Sequence, residues 1–208
     1  PHTDYNAYLS PMLVPGVMFL FIFIFTAYSI GCELKYERSH EWLKMAGGNI
    51  WVALMGKMLP QMLLSMLMMS AYLIYIYGVM GFPHEGSWMV IFLLGFLSVL
   101  AAEGFGIFMF SLLPSMRMSM SLCSLWAVLS FSMVGTAFPV MAMDPALETL
   151  AWLFPLRHYF VIYQTSIFSG YSLTYCWVNI ACLIAFALLP LPLMGRLKKA
   201  MMTFKYMD

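Results

Sequence analysis

Charged side chains are scarce in this sequence. Asp, Glu, Lys and Arg make up 9% of the 208 residues, whereas hydrophobic residues make up 63%. A soluble domain carries about 25% charged residues, so the composition excludes an ordinary soluble fold and predicts an integral membrane protein. Four long stretches hold no charge and a fifth is interrupted only by Glu103; the five are 5–32, 58–83, 86–116, 118–143 and 159–195.

Each of these stretches is long enough to cross a bilayer as a helix. A crossing helix needs about 20 apolar residues, and the alternating polarity of membrane-spanning strands is absent. The sequence therefore predicts an all-α integral membrane protein with a single transmembrane domain over residues 1–208. We expect five transmembrane helices, at about 12–32, 58–80, 88–112, 118–139 and 173–195.

Motifs of nucleotide, metal and redox chemistry are also missing. The one Gly-Lys pair, Gly56-Lys57, has Trp51 where a phosphate-binding loop requires its first glycine. No hydrolytic triad is visible and the histidines are scattered. We expect no enzymatic activity, no cofactor, no metal and no nucleic-acid partner, so any ATP must bind another chain. Apolar packing is the expected role of the cysteines, with a metal or redox site as the alternative; they are Cys32, Cys123, Cys176 and Cys182.

The basic residues predict how the chain is oriented. Short cytoplasmic loops of membrane proteins are enriched in Lys and Arg. With five spans, nine of the ten basic residues fall on one side and only Arg157 falls on the other. The sequence therefore predicts an extracytoplasmic N-terminus for this segment and a cytoplasmic C-terminus. The nine are Lys35, Arg38, Lys44, Lys57, Arg117, Arg196, Lys198, Lys199 and Lys205.

Charge is concentrated in one segment, "ELKYERSHEWLK", from Glu33 to Lys44. It opens the predicted cytoplasmic connection between the first two spans, residues 33–59, which we call the elbow. Glu33, Glu37 and Glu41 recur at intervals of four residues, which places them on one face of a predicted helix.

The elbow is also predicted to have an apolar face and a second helix. The apolar face would be supplied by Leu34, Trp42 and Met45. Gly47-Gly48 is predicted to end the first helix. A second short helix over residues 50–59 would lead to Pro60, which can kink or restart the chain. An amphipathic connection lying on the lipid surface and a docking element for another protein both remain open.

A second irregular segment, residues 138–170, is predicted on the extracytoplasmic side, and we call it the hairpin. Asp144-Pro145 is typical of a helix start. That helix would stop near Pro155, and a second helix over about 157–168 would end at Ser169-Gly170. Helices of ten residues cover about 15 Å, too little to cross a bilayer. We therefore expect the pair to re-enter the membrane or to lie at its surface. The residues expected at the interface are Trp152, Tyr159 and Tyr163.

Glu103 is the one carboxylate within a predicted span. An ionised acid near the bilayer centre costs about 2.5–3.5 kcal/mol, so we expect Glu103 to face the bundle interior, a partner subunit or a watery path. A role in the substrate path or in gating and a role as a protonated or hydrogen-bonded packing residue both remain open. Nearby, Ser98, Ala102 and Gly106 form a small-residue face that allows close helix approach.

Short motifs in both irregular segments resemble those of type-2 ABC transporter permeases, the membrane subunits of ATP-binding-cassette exporters. The elbow motifs are Glu33-Leu34-Lys35, Ser39-His40-Glu41-Trp42-Leu43 and Gly56-Lys57-Met58-Leu59-Pro60. The later motifs are Gly135-Thr136-Ala137-Phe138-Pro139, Met143-Asp144-Pro145 and Phe154-Pro155-Leu156-Arg157-His158-Tyr159. The resemblance extends over nearly the whole chain and depends on the order and placement of these motifs.

The resemblance implies an ATP-driven exporter permease of a bacterial inner membrane. It implies six spans per subunit, a second permease subunit in a homo- or heterodimer, and a cytoplasmic ATPase subunit beneath each. Because the chain begins with Pro1 and shows five spans, a first span and its extracytoplasmic insert are expected to be missing.

The resemblance also implies which residues act. The elbow would dock on the ATPase, and the hairpin would match the re-entrant helices that close the exit. The residues expected to couple to the ATPase are Glu33, Glu37, Arg38, Glu41, Trp42 and Lys44. The residues expected in the substrate path or gate are Glu103, Phe138, Pro139, Arg157, His158 and Tyr159. Many relatives carry Gly-Thr after the acidic residue that matches Glu37, whereas this chain has Arg38-Ser39-His40.

Two other functions remain open. The first is a secondary carrier, in which proton binding at Glu103 would power transport. Two observations argue against it: no internal repeat is visible, and the charged elbow would have no role in such a carrier. An intramembrane enzyme or an assembly subunit is the other, and the absence of paired acids or an activated nucleophile argues against the enzyme.

Overall fold

The computed structural model describes residues 5–135 and 144–203, and every regular element within them is helical. Four helical stretches are long and apolar enough to cross a membrane, and they correspond to the predicted spans at 12–32, 58–80, 88–112 and 173–195. The four are Leu9–Lys35, Ile50–Val79, Trp88–Leu112 and Leu173–Thr203.

The helices are numbered in chain order. The first five are α1 Tyr5–Lys35, α2 Ser39–Met45, α3 Ile50–Ile74, α4 Trp88–Leu112 and α5 Met116–Met133. The next four are α6 Pro145–Ala151, α7 Pro155–Ile162, α8 Trp177–Leu188 and α9 Met194–Thr203. Short π-helices, Tyr75–Val79 and Tyr163–Phe168, extend α3 and α7, and 3-10 turns, Leu173–Cys176 and Leu191–Leu193, flank α8.

The remaining predicted span, 118–139, begins in α5. This helix has 18 residues, which cover about 27 Å, and it carries Arg117 and five serines. It is therefore shorter and more polar than the four stretches above, and residues 136–139 lie outside the described part of the chain. The count of five spans is not confirmed and stays a prediction.

α5 nevertheless runs antiparallel along α1. A Cβ built on Gly31 of α1 would lie 2.7 Å from Met116 Cγ, and one built on Gly16 would lie 2.5 Å from Phe131 Cε1. The two helices therefore stay in contact over 15 residues, about 22 Å at 1.5 Å per residue.

Hydrogen bonds connect the helices at each of the two ends of the bundle. At the first, which we call the elbow end, Arg196 Nη2 at the start of α9 donates to the Leu112 carbonyl at the end of α4, at 3.1 Å. At the second, the hairpin end, the Tyr72 hydroxyl donates to the Ser10 carbonyl at 2.7 Å. There the Glu85 N–H also donates to the carbonyl of Ile167, at 2.8 Å.

α4 lies in the middle of the bundle and is the most buried of the long helices. Its predicted small-residue face is buried, and a Cβ on Gly106 would lie 2.8 Å from Thr26 Cβ of α1. The sequence did not predict a second close approach on another face. A Cβ on Gly104 would lie 2.6 Å from Ala187 Cα of α8.

Candidate functional site

α1 ends in a left-handed turn within the elbow. Glu37 adopts a φ of 56°. The Arg38 N–H donates to the Glu33 carbonyl at 2.9 Å, and the Glu37 N–H donates to the Leu34 carbonyl at 3.3 Å. This pair of hydrogen bonds is typical of a helix that is followed by a residue in the left-handed backbone conformation. The prediction that Glu33, Glu37 and Glu41 share one helix face is therefore wrong, because the helix ends before α2 begins.

α2 ends in the same kind of turn, here at glycine, as predicted. Gly47 and Gly48 have φ values of 64° and 77°. The Gly48 N–H donates to the Leu43 carbonyl at 2.7 Å, and the Gly47 N–H donates to the Lys44 carbonyl at 3.0 Å. Glycine adopts this conformation without the steric cost that a Cβ adds, so Gly47-Gly48 stops α2 after two turns.

The second part of the elbow differs from the prediction. Asn49 caps α3, with its Oδ1 accepting from the Trp51 N–H at 3.0 Å. From there α3 continues without a break through Pro60 to Ile74. The separate helix predicted over residues 50–59 is instead the first part of a long helix, and the elbow is rigidly continuous with it.

The inner face of the elbow forms a small hydrophobic core at this end of the bundle. Trp42 is 9% exposed and Leu43 is 2% exposed. Helices α1, α2, α3, α4 and α9 all contribute to this core. Its main members are Ile30, Leu34, Trp42, Leu43, Ile50, Leu54, Phe110, Met194, Leu197 and Met201.

Lys57 of α3 contacts two residues of the predicted coupling set, Glu33 and Trp42. The Lys57 ammonium pairs with the Glu33 carboxylate and lies 5.6 Å from the centre of the Trp42 ring. Over residues 5–135 and 144–203 this is the one salt bridge. Both residues were predicted to touch a partner protein, but the structure places Trp42 in the core and Glu33 against α3.

The outer face of the elbow carries the rest of the predicted coupling set. Glu37, Arg38, Glu41 and Lys44 are all exposed, and Met45 is 81% exposed beside them. A surface that combines both signs of charge with an apolar side chain suits a directional protein contact.

The hairpin end brings together three predicted gate residues on α7. His158 is fully buried, with Nε2 2.9 Å from the Trp152 carbonyl and Nδ1 2.9 Å from Asn179 Oδ1 of α8. The Tyr159 hydroxyl donates to the Pro11 carbonyl of α1 at 3.3 Å. These bonds fasten α7 to α8 and to α1.

Arg157 is 9% exposed, and its Nη1 has no hydrogen-bond partner among the described residues. Burial lowers the pKa of its guanidinium from the ordinary value, and the nearby Glu148 carboxylate opposes this shift. The other two predicted gate residues of this segment, Phe138 and Pro139, lie outside the described residues.

The hairpin differs in part from the prediction. Asp144 caps α6, with Oδ1 accepting from the Ala146 N–H at 3.0 Å, and Pro145 opens the helix as predicted. α7 begins at Pro155 and is buried. The expectation that Tyr159 and Tyr163 lie at the membrane interface is wrong, since both are buried in the bundle. A re-entrant course is not confirmed and stays a prediction.

Glu103 faces the bundle interior, which is one of the three environments expected for it. It is 5% exposed, and its Oε1 has no hydrogen-bond partner within the described part of the chain. An ionised carboxylate without a partner would be costly at this depth, so the packing favours the neutral acid.

Comparison with known proteins agrees with these features. A family model described as "ABC-2 family transporter protein" matches residues 1–195. The chain belongs to this family. It is therefore a multi-pass membrane protein of the ABC-2 transporter family, as the sequence motifs indicated.

Two curated relatives of this permease come from Escherichia coli strains K12 and O157:H7, and each is named as the probable multidrug ABC transporter permease YbhR. Each is 22% identical over 179 residues, which cover 85% of this chain and 48% of the relative. The chain thus spans about half the length of the curated relatives it matches. No solved structure matches the chain.

Two features of the permease's elbow end were missed by sequence reasoning. Lys57 was counted only as a basic residue and as part of a motif, and its pairing with Glu33, 24 positions away, has no signature in local spacing. The segment that forms α9 was considered only for the basic residues that follow the last predicted span. Its apolar residues recur at Met194, Leu197 and Met201, and this helical periodicity could have identified it as a packed amphipathic helix.

Proposed function

We propose that this ABC-2 permease is driven by a cytoplasmic ATPase subunit that binds the exposed charged face of α2. The observation that carries the proposal is the two-sided construction of the elbow. Its inner side is fixed to the bundle through Lys57, Glu33 and Trp42. Its outer side leaves Glu37, Arg38, Glu41 and Lys44 exposed.

This construction suits the transmission of force. A partner that moves α2 also moves the ends of α1, α3, α4 and α9, because all five helices share one close-packed core. Charged groups on the outer side would set the choice and orientation of the partner.

The proposed orientation places the elbow end in the cytoplasm of a bacterial inner membrane and the hairpin end outside. Eight of the nine Lys and Arg residues that the structure describes lie at the elbow end, and Arg157 is the exception. The positive-inside rule supports this orientation. This orientation requires that α5 also crosses the membrane, and the antiparallel packing of α5 along α1 supports such a crossing.

The proposed direction is export, and the proposed assembly contains a second permease subunit. The relatives named as multidrug permeases support an apolar, drug-sized cargo. A groove of about 750 Å³ between α1 and α3 has a suitable size for such a cargo, and its exposed apolar side chains include Phe21, Phe25 and Leu64.

The proposed function also includes an outer gate on α7. Its proposed positioning residues are Arg157, His158 and Tyr159.

A proton-coupled secondary carrier is the second candidate function. The buried, unpartnered Oε1 of Glu103 is the observation that favours it. Membership of an ABC transporter family and the exposed charge on α2 favour the ATP-driven function instead.

The decisive experiment is co-purification of the full-length permease with the ABC ATPase subunits of the source organism, each expressed singly. The combined change Glu37→Ala, Arg38→Ala, Glu41→Ala and Lys44→Ala should abolish the complex and the stimulation of ATP hydrolysis. The matched control changes two exposed charges at the hairpin end, Glu85→Ala and Glu148→Ala, and should leave both unchanged. Retention of the complex by the α2 variant would contradict the proposal.

A further inference from the structure

Two adjoining grooves open at the elbow end, where α9 lies against α2 and the turn that follows it. One groove, of about 400 Å³, lies between the Gly47-Gly48 turn, the start of α3 and the start of α9. The other, of about 390 Å³, lies between His40, Glu41 and Lys44 of α2 and Lys198 and Met202 of α9. Gly48 and Lys198 line both grooves, so the two form one continuous surface.

α9 is a fixed wall of this surface. Its apolar face, with Met194, Leu197 and Met201, is buried in the core that also holds Trp42. Its first turn is held by the hydrogen bond from Arg196 Nη2 to the Leu112 carbonyl. Any protein that reaches the outer side of α2 over these grooves therefore meets α9 as well.

The side chains that line the grooves carry more positive than negative charge. Lys198 of α9 lies across the second groove from Glu41 and Lys44 of α2, and neither lysine forms an ion pair with a described residue. The lining of the two grooves therefore carries two lysines against one carboxylate, a net surplus of one positive charge.

From this geometry we propose that α2 and α9 form one composite docking surface, and that an acidic segment of the ATPase subunit binds in its two grooves. The inference rests on the proposed function and adds α9 to the contact. Carboxylates of the partner would meet Lys44 and Lys198, and a donor of the partner would meet Glu41. The Glu41 carboxylate disfavours an anionic lipid surface, and a planar headgroup layer does not fill two concave grooves.

The test compares two neighbouring lysines of the full-length permease. Lys198→Glu reverses the charge in both grooves, whereas Lys199→Glu makes the same change at an exposed residue that lines neither. Affinity for the ATPase subunit is measured with the permease in phosphatidylcholine nanodiscs. Lys198→Glu should weaken binding at least tenfold, and Lys199→Glu should change it less than twofold. Equal effects of the two variants would overturn the inference.

Two further measurements separate the possible failures. If Lys198→Glu weakens binding only in nanodiscs that contain phosphatidylglycerol, Lys198 contacts lipid headgroups and the inference is wrong. If the fourfold α2 variant loses the ATPase while Lys198→Glu binds it normally, α9 is not part of the dock and the proposed function stands. If both variants bind normally, docking at the elbow end fails altogether.

Discussion

Lys57 of α3 lies with its Nζ 5.6 Å from the centre of the Trp42 ring of α2, while it pairs with Glu33 of α1. The Lys57 ammonium therefore links α3 to α1 and α2 at the end of the bundle where the proposed ATPase subunit would bind. The indole gives the cation a second favourable neighbour through its π face. Trp42 therefore anchors α2 to Lys57, and this contact keeps the exposed surface of α2 in a fixed orientation relative to α1 and α3.

Replacement of Lys57 should destabilise the elbow end. In Lys57→Met the Glu33 side chain, which is 19% exposed, keeps its charge but loses its partner. We expect a loss of about 1–3 kcal/mol in the free energy of unfolding, less than for a fully buried pair because both groups reach some water. The measurement is thermal unfolding of the purified permease in detergent.

A double-mutant cycle provides the control for this pair. Glu33→Gln combined with Lys57→Met removes both charges and should recover part of the lost stability. Strict additivity of the two single changes would show that the ion pair contributes nothing.

Glu37 should be a site where glycine increases stability. Its φ of 56° costs an ordinary residue about 1–2 kcal/mol relative to glycine. We expect Glu37→Gly to raise the unfolding free energy by about 1 kcal/mol. Glu41→Gly is the matched control, since the same change inside α2 should lower it by about 1 kcal/mol. If both variants are destabilised, the left-handed turn at the end of α1 is wrong.

Sequence patterns predicted the parts of the fold that depend on local chemistry. Long apolar stretches located the four long helices, Gly47-Gly48 ended α2, and Asp144-Pro145 opened α6. Each of these signals acts within a few residues of the feature that it predicts. The residue pattern of the elbow also identified a surface charge cluster, which is exposed in the structure.

The incorrect predictions have a physical reason in common. The periodic glutamates suggested a continuous helix because nothing in "KYERSH" marks Glu37 as left-handed, where glycine would be expected. The burial of Trp42 depends on Lys57 and on α9, which are distant in sequence. Tyr159 is a good interfacial residue by type, yet it is buried because α7 packs within the bundle rather than against lipid.

Gly104 should be intolerant of any side chain. A Cβ there would lie 2.6 Å from both Ala187 Cα and the Phe186 carbonyl oxygen, and these are backbone atoms that cannot rotate away. Gly104→Ala should therefore separate α4 from α8 and cost about 2–3 kcal/mol. Gly56→Ala on α3 is the control, because a Cβ there meets nothing within 4 Å. That variant should be neutral or up to about 1 kcal/mol more stable. Similar melting temperatures for the two variants would contradict the close contact between α4 and α8.

Glu103 distinguishes the two candidate functions through a pair of substitutions. Glu103→Gln keeps the shape of the neutral acid but cannot exchange a proton, whereas Glu103→Asp exchanges a proton but leaves space in a close-packed interior. In an ATP-driven permease, the Gln variant should keep permease-stimulated ATP hydrolysis within about twofold of the unmodified protein. The Asp variant should be the less stable of the two by about 1 kcal/mol, the usual cost of a lost buried methylene. The measurement uses the complex with its ATPase subunit in proteoliposomes. The reverse result, with activity retained by Asp and lost in Gln, would show that proton exchange at Glu103 is required.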